Sequence, residues 1–562
     1  MPPWFHGPFP SQVLFLGVTR HPMDLRMTNP VSLALHGVTF QLPTGEPLFR
    51  DLNETFDERR TALVGRNGAG KSVLARIMAG VLAPSAGRCL ASGLVHYLPQ
   101  HIEPQAFRSV AELAGVQPLL DALARVEAGA VDPADFELLD GRWDIRAQLE
   151  AMLSAAGLGH LTVDTPAARL SGGECMRVAL LGAWLSEADW LLLDEPSNHL
   201  DRAGREALRE QLQRWRGGLI LISHDRLLLD DMQRIVELSS AGLRSYSGGY
   251  AFYWEARQQE QDNALRELQR RKQERDRQQR AMQEQRERQA HRQAKGRRDA
   301  QEANQAKILV DRQKERSQTS IARLATQHGE RREQLAQDVR EAFDQLRDDA
   351  AVALNAPACE LPEQRAVLQL AGLRLPFGNP APLDLQLNGP RRLAVTGCNG
   401  SGKSTLLKVL AGIVEPVAGL CEVKVRSAYL DQHLAALSPE RSVLELLLER
   451  NRAVDKSVLR TRLAQLDLPA GRVDLPSALL SGGERLKAAL ACEIYAEQPA
   501  QLLLLDEPEN HLDLPSREAL EELLRQYQGA LLVVSHDEAF LARLALEGRL
   551  ECARDGWHWR AG

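Results

Sequence analysis

Short apolar runs punctuate this chain in two matched series. In the first half they are TALVG (61–65), LLLD (191–194) and GGLILIS (217–223); in the second they are RLAVTG (392–397), LLLD (503–506) and ALLVVS (530–535). Runs this short, ending in glycine, serine or acids, predict strands buried on both faces of a parallel sheet. None approaches the roughly 20 apolar residues of a membrane-spanning helix. Between the halves, from about Arg257 to Ala350, the pattern changes. The chain becomes rich in Gln, Arg and Glu, has no proline, and carries only Gly296 and Gly329 as breakers, which favours long helices. Ile321, Leu324, Leu335, Val339, Phe343 and Leu346 recur there at helical spacing. This predicts an antiparallel hairpin whose apolar stripe is covered by the more polar first arm, with its tip near 296–317. Forty residues of helix would extend roughly 60 Å.

The matched runs carry matched chemistry. The first half reads GRNGAGKS (65–72), Gln100, LSGGE (170–174), LLLDEP (191–196), SNHLD (197–201) and SHD (223–225). The second reads GCNGSGKS (397–404), Gln432, LSGGE (480–484), LLLDEP (503–508), ENHLD (509–513) and SHD (535–537). The order is the same in both, and 29 residues separate Glu195 from His224 as they separate Glu507 from His536.

Each element meets a need of a nucleoside triphosphate. A glycine-rich loop between strand and helix turns backbone N–H groups around phosphates at the positive end of a helix dipole. The phosphate-binding residues expected are Gly65, Arg66, Asn67, Gly68, Ala69, Gly70, Lys71 and Ser72, then Gly397, Cys398, Asn399, Gly400, Ser401, Gly402, Lys403, Ser404 and Thr405. Lys71 and Lys403 would reach the β and γ phosphates, while Ser72 and Ser404 would ligate Mg2+. Asp194 and Asp506 would hold the metal through water, and Glu195 and Glu507 would polarise the attacking water. His224 and His536 would sense the γ-phosphate. Gln100 and Gln432 would complete the metal and water positions.

The LSGGE segments narrow the fold, because a simple phosphate-loop protein has no use for them. The chain resembles the ATP-binding cassette superfamily over roughly residues 30–250 and 365–550. In that superfamily the signature serine and glycines open a helix that contacts the γ-phosphate held by the opposite half. The resemblance implies two composite sites, one joining 65–72 to Ser481, Gly482 and Gly483, the other joining 397–404 to Ser171, Gly172 and Gly173. ATP would close the halves and hydrolysis would release them. The fold expected is α/β, two tandem ATP-binding cassettes joined by a long helical hairpin. Its boundaries are 27–256, 257–355 and 356–562, after residues 1–26, which are expected to be disordered or an upstream-start artefact, the alternative being a small extension packed on the first cassette.

Charge sharpens the reading. Residues 270–298 carry a net +8 while the whole chain carries −6, leaving −14 on the remainder. An acidic body with a basic helical segment suits contact with nucleic acid. Together with SNHLD, ENHLD and the entry stretch YSGGYAFYWEAR (246–257), this makes the chain similar to ABC-F proteins, soluble twin cassettes that act on the ribosome. That resemblance implies rRNA and tRNA as partners, a functional monomer in the cytoplasm, and Arg292, Lys295, Arg297, Arg298 and Lys307 as phosphate contacts. A DNA-associated ATPase and the motor subunit of a membrane transporter are the alternatives. Seven cysteines without paired spacing read as reduced thiols. Cys398 lies inside the second phosphate loop, where oxidation would impair ATP binding unless it is merely a tolerated loop residue.

Two departures from the family pattern stand out. The adenine-stacking aromatic is not obvious: Leu42 or nearby Phe40 occupies its place in the first half, Leu375 or Phe377 in the second. The first half also carries 22 extra residues between its glutamine and its signature. About 105–140 would be a short ribosome-contacting arm or ordinary loop variation.

Overall fold

A computed structural model describes residues 32–302, 326–343 and 361–561, apart from nine single positions (His199, Gln432, His433, Ala435, Ala436, Asp467, Pro469, His511 and Arg554), and only the backbone at Gln289, Gln293, 296–302 and Ala470. The extension at 1–26, Lys307, Gln432 and most of the expected hairpin tip lie outside the described residues.

Both halves are built on one plan. In the first, a six-stranded sheet runs Val95–Leu98, Trp190–Asp194, Gly218–Ile222, Arg60–Gly65, Arg234–Ser239, Gly242–Ser247. In the second, the order is Ser427–Leu430, Leu502–Asp506, Ala530–Val534, Arg392–Gly397, Gly548–Ala553, Gly556–Ala561. Five strands of each sheet are parallel and the last is antiparallel. The apolar runs are therefore interior strands: every residue of Trp190–Asp194, Gly218–Ile222, Leu502–Asp506 and Ala530–Val534 is buried. Because the strand before each phosphate loop and the strand before each histidine are adjacent, their carboxyl ends deliver loop, acids and histidine to one edge. A three-stranded antiparallel sheet accompanies each, in the order 47–56, 33–41, 86–91 and 383–388, 366–374, 418–423.

The 22 extra residues fold as helices. Gln117–Glu127 and Pro133–Leu139 are tied by a forked Arg125–Asp135 pair at 2.5 Å, over buried Leu119, Leu120 and Leu139.

The described residues between 252 and 351 belong to a separate compact unit. Its first helix, Tyr250–Glu302, starts seven residues before position 257 and passes through Gly296 without a break. A single glycine costs a helix only about 1 kcal/mol, too little to end one this long. A second helix covers 326–343. The two run antiparallel, since Arg271 pairs with Asp338 at 3.4 Å and Arg331 donates to Gln278 at 3.0 Å. Leu268 and Ala342 are buried between them with Ala264 and Val339 against them. Leu335 is buried as the stripe requires, but Phe343 is half exposed and Ala342 takes the inward position beside it.

Candidate active site

The phosphate loops owe their shape to glycine at positions where a side chain has no room. Gly65 has φ +151°, and a Cβ there would strike the Leu238 carbonyl oxygen. Gly70, at φ +98°, precedes helix Lys71–Met78, and a Cβ would come within 2.7 Å of Leu48. Gly397 and Gly402 repeat this at φ +147° and +103°. Lys71 Nζ donates to the carbonyls of Gly65 (2.7 Å) and Arg66 (3.2 Å), and Lys403 Nζ to those of Gly397 (2.8 Å) and Cys398 (2.9 Å). Each ammonium is thus held over its own loop. Burial lowers the pKa of both.

The acids sit where the sequence reading puts them, but in a conformation it does not foresee. Glu195 and Glu507 both adopt left-handed backbone, φ +51° and +49°. For a non-glycine residue this costs about 1–3 kcal/mol, and it persists because the turn is tied down. The N–H of Glu195 donates to Ile222 O at 2.8 Å and that of Glu507 to Val534 O at 2.9 Å. The kink turns each carboxylate toward its histidine: His224 Nε2 lies 3.5 Å from Glu195 Oε1, and His536 Nε2 lies 3.7 Å from Glu507 Oε1. Burial raises the pKa of Glu195 and lowers that of His224 well below its usual value; His536 is pushed down to about 4. Both imidazoles are neutral near pH 7.

Asp194 and Asp506 are raised by burial and held by hydroxyls. Tyr97 donates to Asp194 at 3.3 Å and Tyr429 to Asp506 at 3.2 Å, while Ser404 Oγ donates to Asp506 at 3.0 Å. Ser72 hydrogen-bonds Asp194 in the first half. A serine hydroxyl beside a carboxylate is the hard-oxygen donor set that suits Mg2+. Among the described residues, the buried Glu195 Oε1, His224 Nδ1 and His536 Nε2 have no hydrogen-bond partner. The tyrosines were absent from the sequence reading; the signal for Tyr97 was LVHYL (94–98), a largely apolar run two residues before Gln100. Gln100 itself is half-buried.

The two signatures cap helices. Ser171 and Ser481 accept from the N–H groups of Glu174 and Glu484, whose carboxylates return the bond to the serine N–H at 2.8 Å in both halves. Gly172 and Gly482 are then the first helical residues. The contact that joins the first phosphate loop to the second half comes from another segment. Asp513 of ENHLD accepts from the Asn67 N–H at 2.8 Å. One turn on, buried Arg517 pairs with Asp537 at 2.6 Å and acts electrostatically on Glu195 and His224 of the other half. Arg205, four residues after Asp201, pairs with Asp225 at 3.6 Å and acts in the same way on His536. These arginines also escaped the sequence reading. Elsewhere between the halves, buried Arg226 forks onto Glu521 (2.6 and 3.2 Å), and the more exposed Arg202 meets Glu538 at 2.9 Å.

On the adenine side the halves differ. Leu375 is buried, so Phe377, 73% exposed with its carbonyl against Gly402, is the ring on offer in the second half. In the first, Phe40 packs on Phe49 at 6.2 Å and Leu42 is half-buried.

A family profile described as ABC transporter matches residues 50–198 and 381–510. The chain is 34% identical over 547 residues to the tylosin resistance ATP-binding protein TlrC of Streptomyces fradiae, covering 92% of this chain and 96% of that one. It is 30% identical to the energy-dependent translational throttle protein EttA of Mycobacterium tuberculosis (90% and 89% covered) and 29% identical to ABC transporter F family member 5 of Arabidopsis thaliana (86% and 70%). The chain belongs to the ABC-F family. Its halves are ATP-binding ATPase cassettes, and among solved structures the twin-cassette fold of an RNase-L inhibitor superposes with a TM-score of 0.54 at 19% identity, covering 92% of this chain and 87% of that one. Although the matching profile is called a transporter, no helix among the described residues is long and apolar enough to cross a membrane. Of the basic residues expected to touch RNA in this ABC-F chain, Arg292 and Lys295 are exposed on the long helix, and Arg297 and Arg298 lie further along it.

Proposed function

We propose that this chain is an ATP-driven translation factor whose cassettes close on ATP at two shared sites and whose basic helical segment engages ribosomal RNA and tRNA in the cytoplasm. The observation that carries it is the Asn67–Asp513 hydrogen bond, through which a loop acid of one cassette touches the phosphate loop of the other. A nucleotide bound at Lys71 therefore lies within reach of both cassettes. The names of EttA, a translational throttle, and TlrC, a resistance protein, support an action on translation. So does the net +8 of residues 270–298.

In this reading Lys71 and Lys403 turn from their own loop carbonyls to the β and γ phosphates, and the loop N–H groups hold the remaining oxygens. Glu195 and Glu507 orient the attacking water and accept its proton; burial raises the pKa of Glu195, which makes that carboxylate the better base. The neutral His224 and His536 hydrogen-bond the γ-phosphate without adding charge. Mg2+, held by Ser72 with Asp194 and by Ser404 with Asp506, would neutralise charge on the phosphates. Gln100 and Gln432 complete the water positions, and Ser171 to Gly173 and Ser481 to Gly483 close the sites from opposite cassettes.

Sedimentation tests this. Glu195→Gln with Glu507→Gln should bind ATP without hydrolysing it and travel with ribosomes through a gradient. Free protein that retains duplex DNA would replace this reading with a DNA-associated ATPase; recovery only with membranes would favour a transporter motor.

A further inference from the structure

In each cassette the histidine is followed by an aspartate and then by a residue that meets the other cassette: Arg226 in the first half, Glu538 in the second. Arg226 opens the short helix Arg226–Asp230, two residues after His224, and is buried. Its guanidinium forks onto Glu521 at 2.6 and 3.2 Å, lies 3.7 Å from Glu518, and donates through Nε to the Tyr250 hydroxyl at 3.1 Å. That hydroxyl donates in turn to Glu518 at 3.0 Å. Tyr250, itself buried, is the first residue of the long helix Tyr250–Glu302. Glu518 and Glu521 stand on helix Leu514–Gln526 of the second cassette, whose capping residue Asp513 holds the Asn67 N–H of the first phosphate loop. One cluster thus joins the segment that carries His224, the helix that touches the first phosphate loop from across the interface, and the root of the long helix. A buried charge cluster left half made strands unpaired charge, so this one assembles or dissolves as a unit. The matched places around the second site are filled differently. Glu538 pairs with Arg202 at 2.9 Å and with Arg549 at 2.7 Å, and Arg209, at the place of Glu521, forks back onto Asp231 of its own cassette at 2.5 and 2.9 Å.

We propose that Arg226 and Tyr250 are positioning residues that fasten the root of the long helix to the first ATP site and not to the second. With the cassettes together, Glu518 and Glu521 compensate the Arg226 charge, and the tyrosine hydroxyl is fixed as acceptor from Arg226 and donor to Glu518. When the cassettes part, both acids leave with the second cassette and Arg226 turns to water. The first turn of the helix then keeps the bond from the Ala251 N–H to Asp230, at 3.2 Å, and loses its tie through the hydroxyl to Glu518. A triphosphate at Lys71 favours the fastened arrangement, because helix Leu514–Gln526 meets that loop through Asp513. Hydrolysis at the first site therefore frees the root, and hydrolysis at the second leaves it fastened.

This inference rests on the cassettes closing on ATP, so its test reads closure and the helix root separately. Amide hydrogen exchange is followed in the Glu195→Gln, Glu507→Gln protein with and without ATP, at 170–174 and 480–484 for closure and at 250–257 for the root, and bound ATP is counted. ATP should slow exchange at all three. Tyr250→Phe, which keeps the ring and removes only the hydroxyl, should retain two bound ATP and the slowing at both signatures but lose the slowing at 250–257. Adding Lys71→Ala should abolish the slowing at 250–257, whereas adding Lys403→Ala should preserve it. Slowing at 250–257 that survives Tyr250→Phe, or that depends equally on Lys71 and Lys403, would overturn the proposal. If the signatures slow and 250–257 does not, the proposal alone falls; if ATP is bound and the signatures do not slow, closure fails and the proposal falls with it.

Discussion

The two cassettes share sheet order, glycine angles, left-handed glutamates and capped signatures, yet their side chains treat the same scaffold differently. In the second, Asn510 donates to Glu507 Oε2 at 2.6 Å, while in the first, among the described residues, the buried Glu195 Oε1 has no hydrogen-bond partner and lies 3.5 Å from His224. Ser197 of the first becomes Glu509 in the second, buried and hydrogen-bonded by Ser535 beside Asp537. Among the ion pairs between cassettes, that of Arg226 with Glu521 is sealed and that of Arg202 with Glu538 is partly open to water. Backbone conformation is fixed by steric demands common to both sites, whereas the charge around each glutamate is free to diverge. Sites of one family in one chain are therefore chemically distinct.

The sharpest way to break this comparison is to remove each glutamate in turn. Losing a general base typically slows chemistry by about 10²- to 10⁴-fold. Glu195→Gln should remove the larger share of phosphate release, because burial raises the pKa of the Glu195 carboxylate and strengthens it as a base. Equal losses from Glu195→Gln and Glu507→Gln would erase the distinction.

Next come the two ion pairs. Glu521→Ala leaves buried Arg226 with only the more distant Glu518 and the Tyr250 hydroxyl, unpairs Arg543, and should cost about 3 kcal/mol in urea unfolding, whereas Arg202→Ala should cost less than about 1 kcal/mol. Similar costs would mean that the sealed side is not special.

Glu509 offers a pH-dependent test of the same asymmetry. Burial raises its pKa from 4.5 to about 7. Below pH 4.5 the group is protonated in folded and unfolded chains alike and costs nothing; as pH rises toward 7 the unfolded chain ionises first and stability falls, by up to about 3 kcal/mol. Glu509→Gln should therefore raise Tm at pH 8 and leave it unchanged near pH 4.5. A gain of the same size at both would place the effect in packing. Smallest is Phe377→Ala, expected to weaken ATP at the second site by about 1 kcal/mol, roughly fivefold, as measured in a Lys71→Ala background; the converse Leu42→Ala in Lys403→Ala should change affinity little.

The parallel strands, loops, acids and histidines were legible because each rests on a local rule: an apolar run, a glycine no side chain can replace, an acid at a strand end. The long helix was legible too, but Gly296 was overrated as a breaker, since one weak residue cannot outweigh fifty good ones. Tyr97, Tyr429, Arg205 and Arg517 were not foreseen, because their partners come from distant segments that only the fold brings together. That Leu375 is buried and Phe377 exposed was likewise not fixed by alternation alone.

The central claim is that each ATP is held by both cassettes. The direct measurement is the number and location of ATP molecules occluded by the Glu195→Gln, Glu507→Gln protein, before and after Ser481→Arg is added. Two occluded ATP should fall to one, and a photoreactive ATP analogue should lose its label at Lys71 while keeping it at Lys403. Loss of label at Lys403 instead, or no loss at all, would contradict the account.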